Sequence, residues 1–235
     1  MTTPVLIFSK VEVHARGHRL LGPISARVDT PGITVVMGPN GAGKSLFLSA
    51  AHGLLAGHSG KVTWDGVAAS ASRTDRGFVF QTTPILRRSV SGNIVFPLKA
   101  RNLPAAEKAE RVARALSEAR LTDFARKPAA ALSGGERKRL DLARAMVTSP
   151  DVLLLDEPAA NLDPASTSEL EKSLRRISDR GVKILISTHD VAQARRLAGD
   201  ILFIADGALV EQASAAQFFQ SPASSAAVKY LKGDL

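Results

Sequence analysis

The chain has 235 residues, 45% hydrophobic and 23% charged, enough to bury a substantial core in one domain with an inserted lobe. No run approaches the roughly eighteen apolar residues of a membrane span, and Met1 to Lys10 lacks the basic region and long apolar stretch of a secretory leader, so the chain is expected to stay where it is made. The absence of cysteine excludes disulfides and thiolate metal sites and agrees with a reducing cytosol. The net charge of +9 is concentrated, with thirteen Lys and Arg against five Asp and Glu in residues 87–139. Such a face suits bulk solvent, anionic lipid headgroups or nucleic acid. One Trp and one Tyr in the whole chain argue against a platform that stacks single-stranded bases.

In chain order, residues 5–13 alternate, and two β-type runs within 24–37 flank the turn signal Asp29-Thr30-Pro31-Gly32. The expectation is a β-hairpin layer leading into the next segment. Ile33 to Met37 is short, apolar and β-branched, as in a buried strand, and Leu46 to Leu55 carries Leu, Phe and Ala at helical spacing. Between them lies Gly38-Pro39-Asn40-Gly41-Ala42-Gly43-Lys44-Ser45, which fits G-x-x-x-x-G-K-[ST] in the strand-loop-helix setting that motif requires. Its glycines let backbone N–H groups turn onto phosphate oxygens, and the helix start adds partial positive charge. Lys44 would reach the outer phosphates, and Ser45 would place its hydroxyl on Mg²⁺.

Ser59 to Gly66 reads as turn, strand, turn, and Gly77 to Phe80 as a buried strand that ends at Gln81. From Thr82 to about Val147 the β signal disappears. Val90–Leu98, Ala105–Arg120 and Glu136–Met146 have helical periodicity, punctuated by Pro84, Pro97, Pro104 and Pro128 near their boundaries, which predicts a helical subdomain over residues 82–147. Val152 to Leu155 resumes the strand signal, followed by a helix from Pro164 to Arg180 and a strand at Lys183 to Ser187. A helix at Val191 to Ala198 comes next, then two strands around Asp206-Gly207. The last fifteen or so residues, with Ser221-Pro222-Ala223-Ser224-Ser225, read as a short tail. Alternating strands and helices predict an α/β fold with a mostly parallel core, an antiparallel β layer and the inserted helices.

Asp156 and Glu157 follow a buried strand, at the edge where open α/β sheets bind ligands. Asp156 would face the metal held by Ser45, and Glu157 is suited to orient or deprotonate a water. Leu132-Ser133-Gly134-Gly135-Glu136 lies upstream, with Ser133 23 residues before Asp156. With that motif the chain resembles the ATP-binding cassette ATPases over nearly its whole length. The resemblance implies a P-loop ATPase that uses ATP and Mg²⁺. It implies a second anion site at Ser133, Gly134 and Gly135 that closes on the nucleotide of another protomer in a head-to-tail dimer.

Carried over residue by residue, Gln81 aligns with the glutamine that contacts Mg²⁺ and the water, and Asn161-Leu162-Asp163 with the loop that crosses the dimer. His189 aligns with the histidine on the γ-phosphate, and Leu46 falls at the end of the phosphate-binding set. One position departs: Ala15, flanked by His14 and Arg16, stands where the family has a base-stacking aromatic residue.

Within the family the chain is similar to single-cassette transport ATPases, which implies a peripheral position on the cytoplasmic face of the membrane. It also implies membrane permease subunits, an extracytoplasmic substrate-binding protein and no nucleic acid. An ATPase with a regulatory or nucleic-acid-associated role is the alternative. The segments Ile85 to Val90 and Thr188 to Ala198 resemble oxyanion importers. Phe218-Phe219 and the ending Lys232-Gly233-Asp234-Leu235 point to the tungstate type, then phosphate.

Overall fold

The computed structural model describes residues 3–234, so Leu235 of the C-terminal likeness and Met1 and Thr2 of the start lie outside the described residues. Its strands are β1 (Leu6–Ala15), β2 (His18–Val28), β3 (Ile33–Met37), β4 (His58–Trp64), β5 (Val67–Ala68), β6 (Arg76–Val79), β7 (Val152–Asp156), β8 (Lys183–Thr188), β9 (Asp200–Ala205) and β10 (Ala208–Ser214). Its helices are α1 (Lys44–His52), α2 (Val90–Leu98), α3 (Ala105–Glu118), α4 (Gly134–Met146), α5 (Pro164–Asp179), α6 (Val191–Leu197), α7 (Ala215–Gln220) and α8 (Ser225–Lys232).

Strands β3 and β7 are buried along their whole length, which is why their sequences are apolar runs rather than alternations. They belong to a six-stranded sheet ordered β10-β9-β3-β8-β7-β6. All its neighbours are parallel except β10 on β9. A second, antiparallel sheet, β2-β1-β4-β5, lies on the other side of α1. Phe47 of α1 stacks on Phe8 of β1 with ring centroids 4.3 Å apart, and Leu48, Ala50 and Ala51 share a core with Val152, Leu154 and Leu185 of the parallel sheet. The helix that follows the glycine loop is thus clamped between two sheets.

The opposite face of the parallel sheet is covered by α5 to α8 through Leu170, Leu174, Ile177, Ala194, Phe218 and Ala227. Between β6 and β7 the chain leaves the sheets, and α2, α3 and α4 bury Val90, Ile94, Leu98, Val112, Leu116, Leu140, Ala143 and Val147 in a core of their own.

Two expectations are corrected. The runs on either side of Pro31-Gly32 do not pair: β2 ends in the antiparallel sheet and β3 begins in the parallel one, so this turn is a crossover. The hairpin is instead β1 with β2, closed where Ala15 pairs with His18 across Arg16 and Gly17, both at positive φ. The tail after Gln220 is not loose either. It forms α8, whose N-cap Ser224 accepts from Ala227 N, and whose start is held by Glu211, which accepts from Ala223 N and Ser224 N at 2.9 Å each.

Candidate functional site

Parallel strands put their carboxyl ends on one edge, and register does the rest. Met37 pairs with Thr188 and Asp156 with Ser187. The glycine loop after β3, the carboxylates at the end of β7 and His189 after β8 are therefore adjacent, and Gln81 follows β6 on the far side of β7. A cleft of about 770 Å³ opens at this edge, lined among others by Asn40, Gly41, Gly43, Lys44, Ser45, Leu46, Gln81, Glu157, Asn161, His189 and Asp190. Gly38, Pro39 and Ala42 do not line it, nor does buried Asp156.

Gly38 has φ +150°, and a Cβ there would meet the Ile204 carbonyl oxygen at 1.9 Å, so only glycine fits at the strand exit. Gly43, at φ +101°, is the residue before α1 and starts its hydrogen bonding by accepting from Phe47 N at 2.9 Å. Lys44 is 4% exposed; its Nζ donates to the Gly38 and Pro39 carbonyls at 3.0 Å each and ion-pairs with Glu157 at 3.2 Å. The other Glu157 oxygen lies 3.1 Å from His189 Nδ1. One carboxylate thus bridges the loop lysine and the histidine.

Glu157 has φ +40°, a left-handed conformation unusual for a side-chain-bearing residue. Ser187 holds it there. Its Oγ accepts from Glu157 N at 2.9 Å and donates to Asp156 Oδ1 at 2.6 Å, fixing both carboxylate residues from the neighbouring strand. Sequence reasoning treated Ser187 only as a strand residue; a hydroxyl closing an otherwise apolar run is the signal that could have found it. Tyr230 was also missed: its hydroxyl donates to the His189 carbonyl at 2.8 Å.

Ser133, Gly134 and Gly135 do not line the cleft of their own chain. Ser133 caps α4 in a capping box with Glu136: Glu136 N donates to Ser133 Oγ at 3.4 Å, and Ser133 N donates to Glu136 Oε2 at 2.7 Å. That hydrogen bond from Ser133 N is the main cause holding the Glu136 carboxyl below its ordinary value. The two glycines differ. A side chain on Gly134 would point into open space, whereas one on Gly135 would meet Ser166 Oγ at 2.7 Å, so Gly135 lets α4 approach the start of α5. Asp163 caps α5, accepting from Ser166 N at 2.8 Å and Ser166 Oγ at 2.6 Å, and is likewise outside the cleft. Ala15 sits exposed at the end of β1, beside exposed His14 and His18.

The donors expected for a metal, the Ser45 hydroxyl, the Gln81 amide and the Asp156 carboxylate, are all hard oxygens with one charge among them. Among the described residues there is no cluster of three His, Cys, Asp or Glu that could hold an ion unaided. Such a sparse oxygen set fits Mg²⁺, which keeps several waters and shares phosphate oxygens, and fits a cage-bound transition metal poorly.

The family described as "ABC transporter" matches residues 21–160. The chain belongs to this family. Its cassettes bind and hydrolyse ATP with Mg²⁺, on the P-loop fold seen here. The methionine import ATP-binding protein MetN of Nocardia farcinica is 37% identical over 222 residues, covering 90% of this chain and 66% of that protein. The chain therefore spans slightly under two thirds of the methionine-import relative. The tungstate uptake system ATP-binding protein TupC of Peptoclostridium acidaminophilum is 37% identical over 196 residues, covering 83% of this chain and 92% of that protein. Among solved structures, cbiO1 from Clostridium perfringens, part of the ABC transporter complex cbiONQ, superposes with a TM-score of 0.83 at 28% identity, covering 92% of this chain and 90% of that one. Relatives named for methionine, iron(III), phosphate and tungstate all match, so kinship to one substrate class does not stand out. No described helix is long and apolar enough to cross a membrane.

Proposed function

We propose that the chain is the ATP-hydrolysing subunit of a membrane transporter, working as a head-to-tail dimer on the cytoplasmic face of the membrane with separate permease subunits. The observation that carries this reading is the Lys44–Glu157–His189 chain of contacts at 3.2 and 3.1 Å beside the glycine loop. Lys44 and the N–H groups of the loop would bind the β- and γ-phosphates. A triphosphate competes with Glu157 for Lys44, and the released carboxylate is then available to hold a water and take its proton. His189 would donate to the γ-phosphate. Mg²⁺, held by Ser45, Gln81 and Asp156, would neutralise charge on the phosphate oxygens. In this reading residues 82–147 act as the helical subdomain, and Ser133, Gly134 and Asp163 serve the partner's nucleotide.

For the cargo we propose an oxyanion, tungstate first, transported with the help of an extracytoplasmic binding protein. The support is the 37% identity to the tungstate subunit over 196 residues, together with the likeness of Ile85 to Val90 and Thr188 to Ala198 to oxyanion importers. Uptake of labelled tungstate with and without this chain tests it; uptake that is unchanged under limiting supply overturns the cargo.

The catalytic reading is tested by Glu157→Gln, which keeps the shape but removes the base. Phosphate release should fall by about 10² to 10⁴ while ATP still binds and accumulates on the protein. Lys44→Ala should instead weaken ATP binding itself. Phosphate release near the wild-type rate in Glu157→Gln would remove Glu157 from the chemistry.

A further inference from the structure

The C-terminal helix reaches back to the nucleotide cleft through the only tyrosine of the chain. Tyr230 lies on α8, with its ring 5.2 Å from that of buried Phe203 of β9, so its position is set by the sheet. Its hydroxyl is 2.8 Å from the His189 carbonyl oxygen and 3.4 Å from that of Gly38. A hydroxyl has one proton to give, and the Gly38 carbonyl already accepts from Lys44 Nζ at 3.0 Å. The proton therefore goes to His189. Burial, and after it the nearby Glu157 and Asp190 carboxylates, push the phenol up to about 12, so it remains a donor at any working pH.

We propose that Tyr230 is a positioning residue for hydrolysis: it pins the backbone of His189 to α8 and so fixes where the imidazole stands relative to Glu157. This deepens, and rests on, the reading of His189 as a γ-phosphate contact. His189 needs such a tether. Its side chain is half exposed, it follows the last residue of β8, and its own side-chain partner is Glu157, which must let go of Lys44 for the reaction. The C-terminal helix is thereby part of the catalytic apparatus, so a movement of α8 would be felt at the γ-phosphate.

The experiment is a double-mutant cycle on the full chain, with ATPase kinetics and melting temperature measured for Tyr230→Phe, His189→Ala and the double variant. Tyr230→Phe should lower kcat about three- to tenfold, the worth of one hydrogen bond, with KM for ATP within about twofold. In the His189→Ala background the same change should move kcat by less than about 1.5-fold. An unchanged kcat in Tyr230→Phe, or the same drop in both backgrounds, overturns the proposal and leaves a packing role. A wild-type kcat in His189→Ala overturns the His189 reading instead. A second measurement does not depend on the phenylalanine variant: 3-fluorotyrosine labelling gives one fluorine resonance. It should shift when MgATP binds Glu157→Gln and stay fixed in Glu157→Gln/His189→Ala; a resonance that ignores ATP in both counts against the tether.

Discussion

Glu157 shows how one residue can be placed for chemistry at a cost to the fold. Its left-handed backbone is worth about 1 to 3 kcal/mol of strain in a non-glycine residue, and the Ser187 hydroxyl that accepts from its N–H is what the sequence offers against it. A different residue makes the fold sensitive to acid. His52, at the end of α1, is 8% exposed, with Nε2 3.3 Å from the Arg76 carbonyl and Nδ1 without a partner. A carbonyl can only accept, so Nε2 carries a proton. Burial, against a smaller opposing effect of that carbonyl, lowers its pKa from 6.5 to about 4. The unfolded chain therefore binds this proton more readily, and stability falls as pH drops from about 6.5 to 4, by up to about 3 kcal/mol. His52→Phe, facing Phe78 whose ring centroid is 5.4 Å away, should lack this slope. Urea unfolding of both proteins at pH 7 and pH 4.5 checks it: the wild-type advantage should shrink or reverse at the lower pH, and parallel curves would refute it.

At the scale of elements, what could be read from the chain was whatever left a periodic or compositional trace. Strands β3 and β7 are buried on both faces, so their five-residue runs were plain, as was the glycine loop between β3 and α1. The hairpin was misplaced because Pro31-Gly32 announces a turn without saying whether the strands beside it pair, and Val28 and Ile33 go to different sheets. Helix α8 was missed because its Ala and Ser content and Pro222 look like a linker, whereas burial of Ala227 and the Tyr230 contact hold it to the core. The cleft residues were legible as motifs; Ser187 and Tyr230, which position them, were not, since hydrogen bonds across 30 and 41 residues leave no local pattern. The irregular stretch from Gln81 to Ser89 joins the cleft to α2 and presents Arg87 and Arg88 to solvent, with the Arg88 guanidinium 5.5 Å from the ring of exposed Phe96. Under the transport reading this surface meets the permease. Reversing both charges, Arg87→Glu with Arg88→Glu, should abolish uptake while the isolated subunit keeps ATPase activity within about twofold, because exposed charges contribute little to folding. Equal loss of both activities would indicate damage to the fold instead.

For the whole molecule, the decisive feature is a separation. Lys44, Ser45, Glu157 and His189 share a cleft that Ser133 and Gly134 of the same chain do not line, yet Gly134 offers an open helix start suited to an anion. The proposed two-fold dimer would resolve this, since a self-complementary interface can set the α4 start of each subunit against the cleft of the other. Under that proposal each complete site would take its loop from one chain and its α4 start from its partner, which predicts complementation between two inactive variants. Lys44→Ala spoils the loop and leaves the α4 start intact; Ser133→Arg does the reverse. Mixed in equal amounts at a concentration that allows exchange, half of the dimers pair one variant with the other, and each such dimer has one wholly intact site and one doubly defective site. If the sites work independently, ATPase activity should recover to about a quarter of the wild-type value. Mixing Lys44→Ala with Glu157→Gln, both on the cleft side, should restore nothing, because each site still carries one defect. Phosphate release from the two mixtures, measured beside each variant alone, distinguishes the arrangements: recovery in the first mixture only requires a shared site, and no recovery in either would place the whole reaction within a single chain.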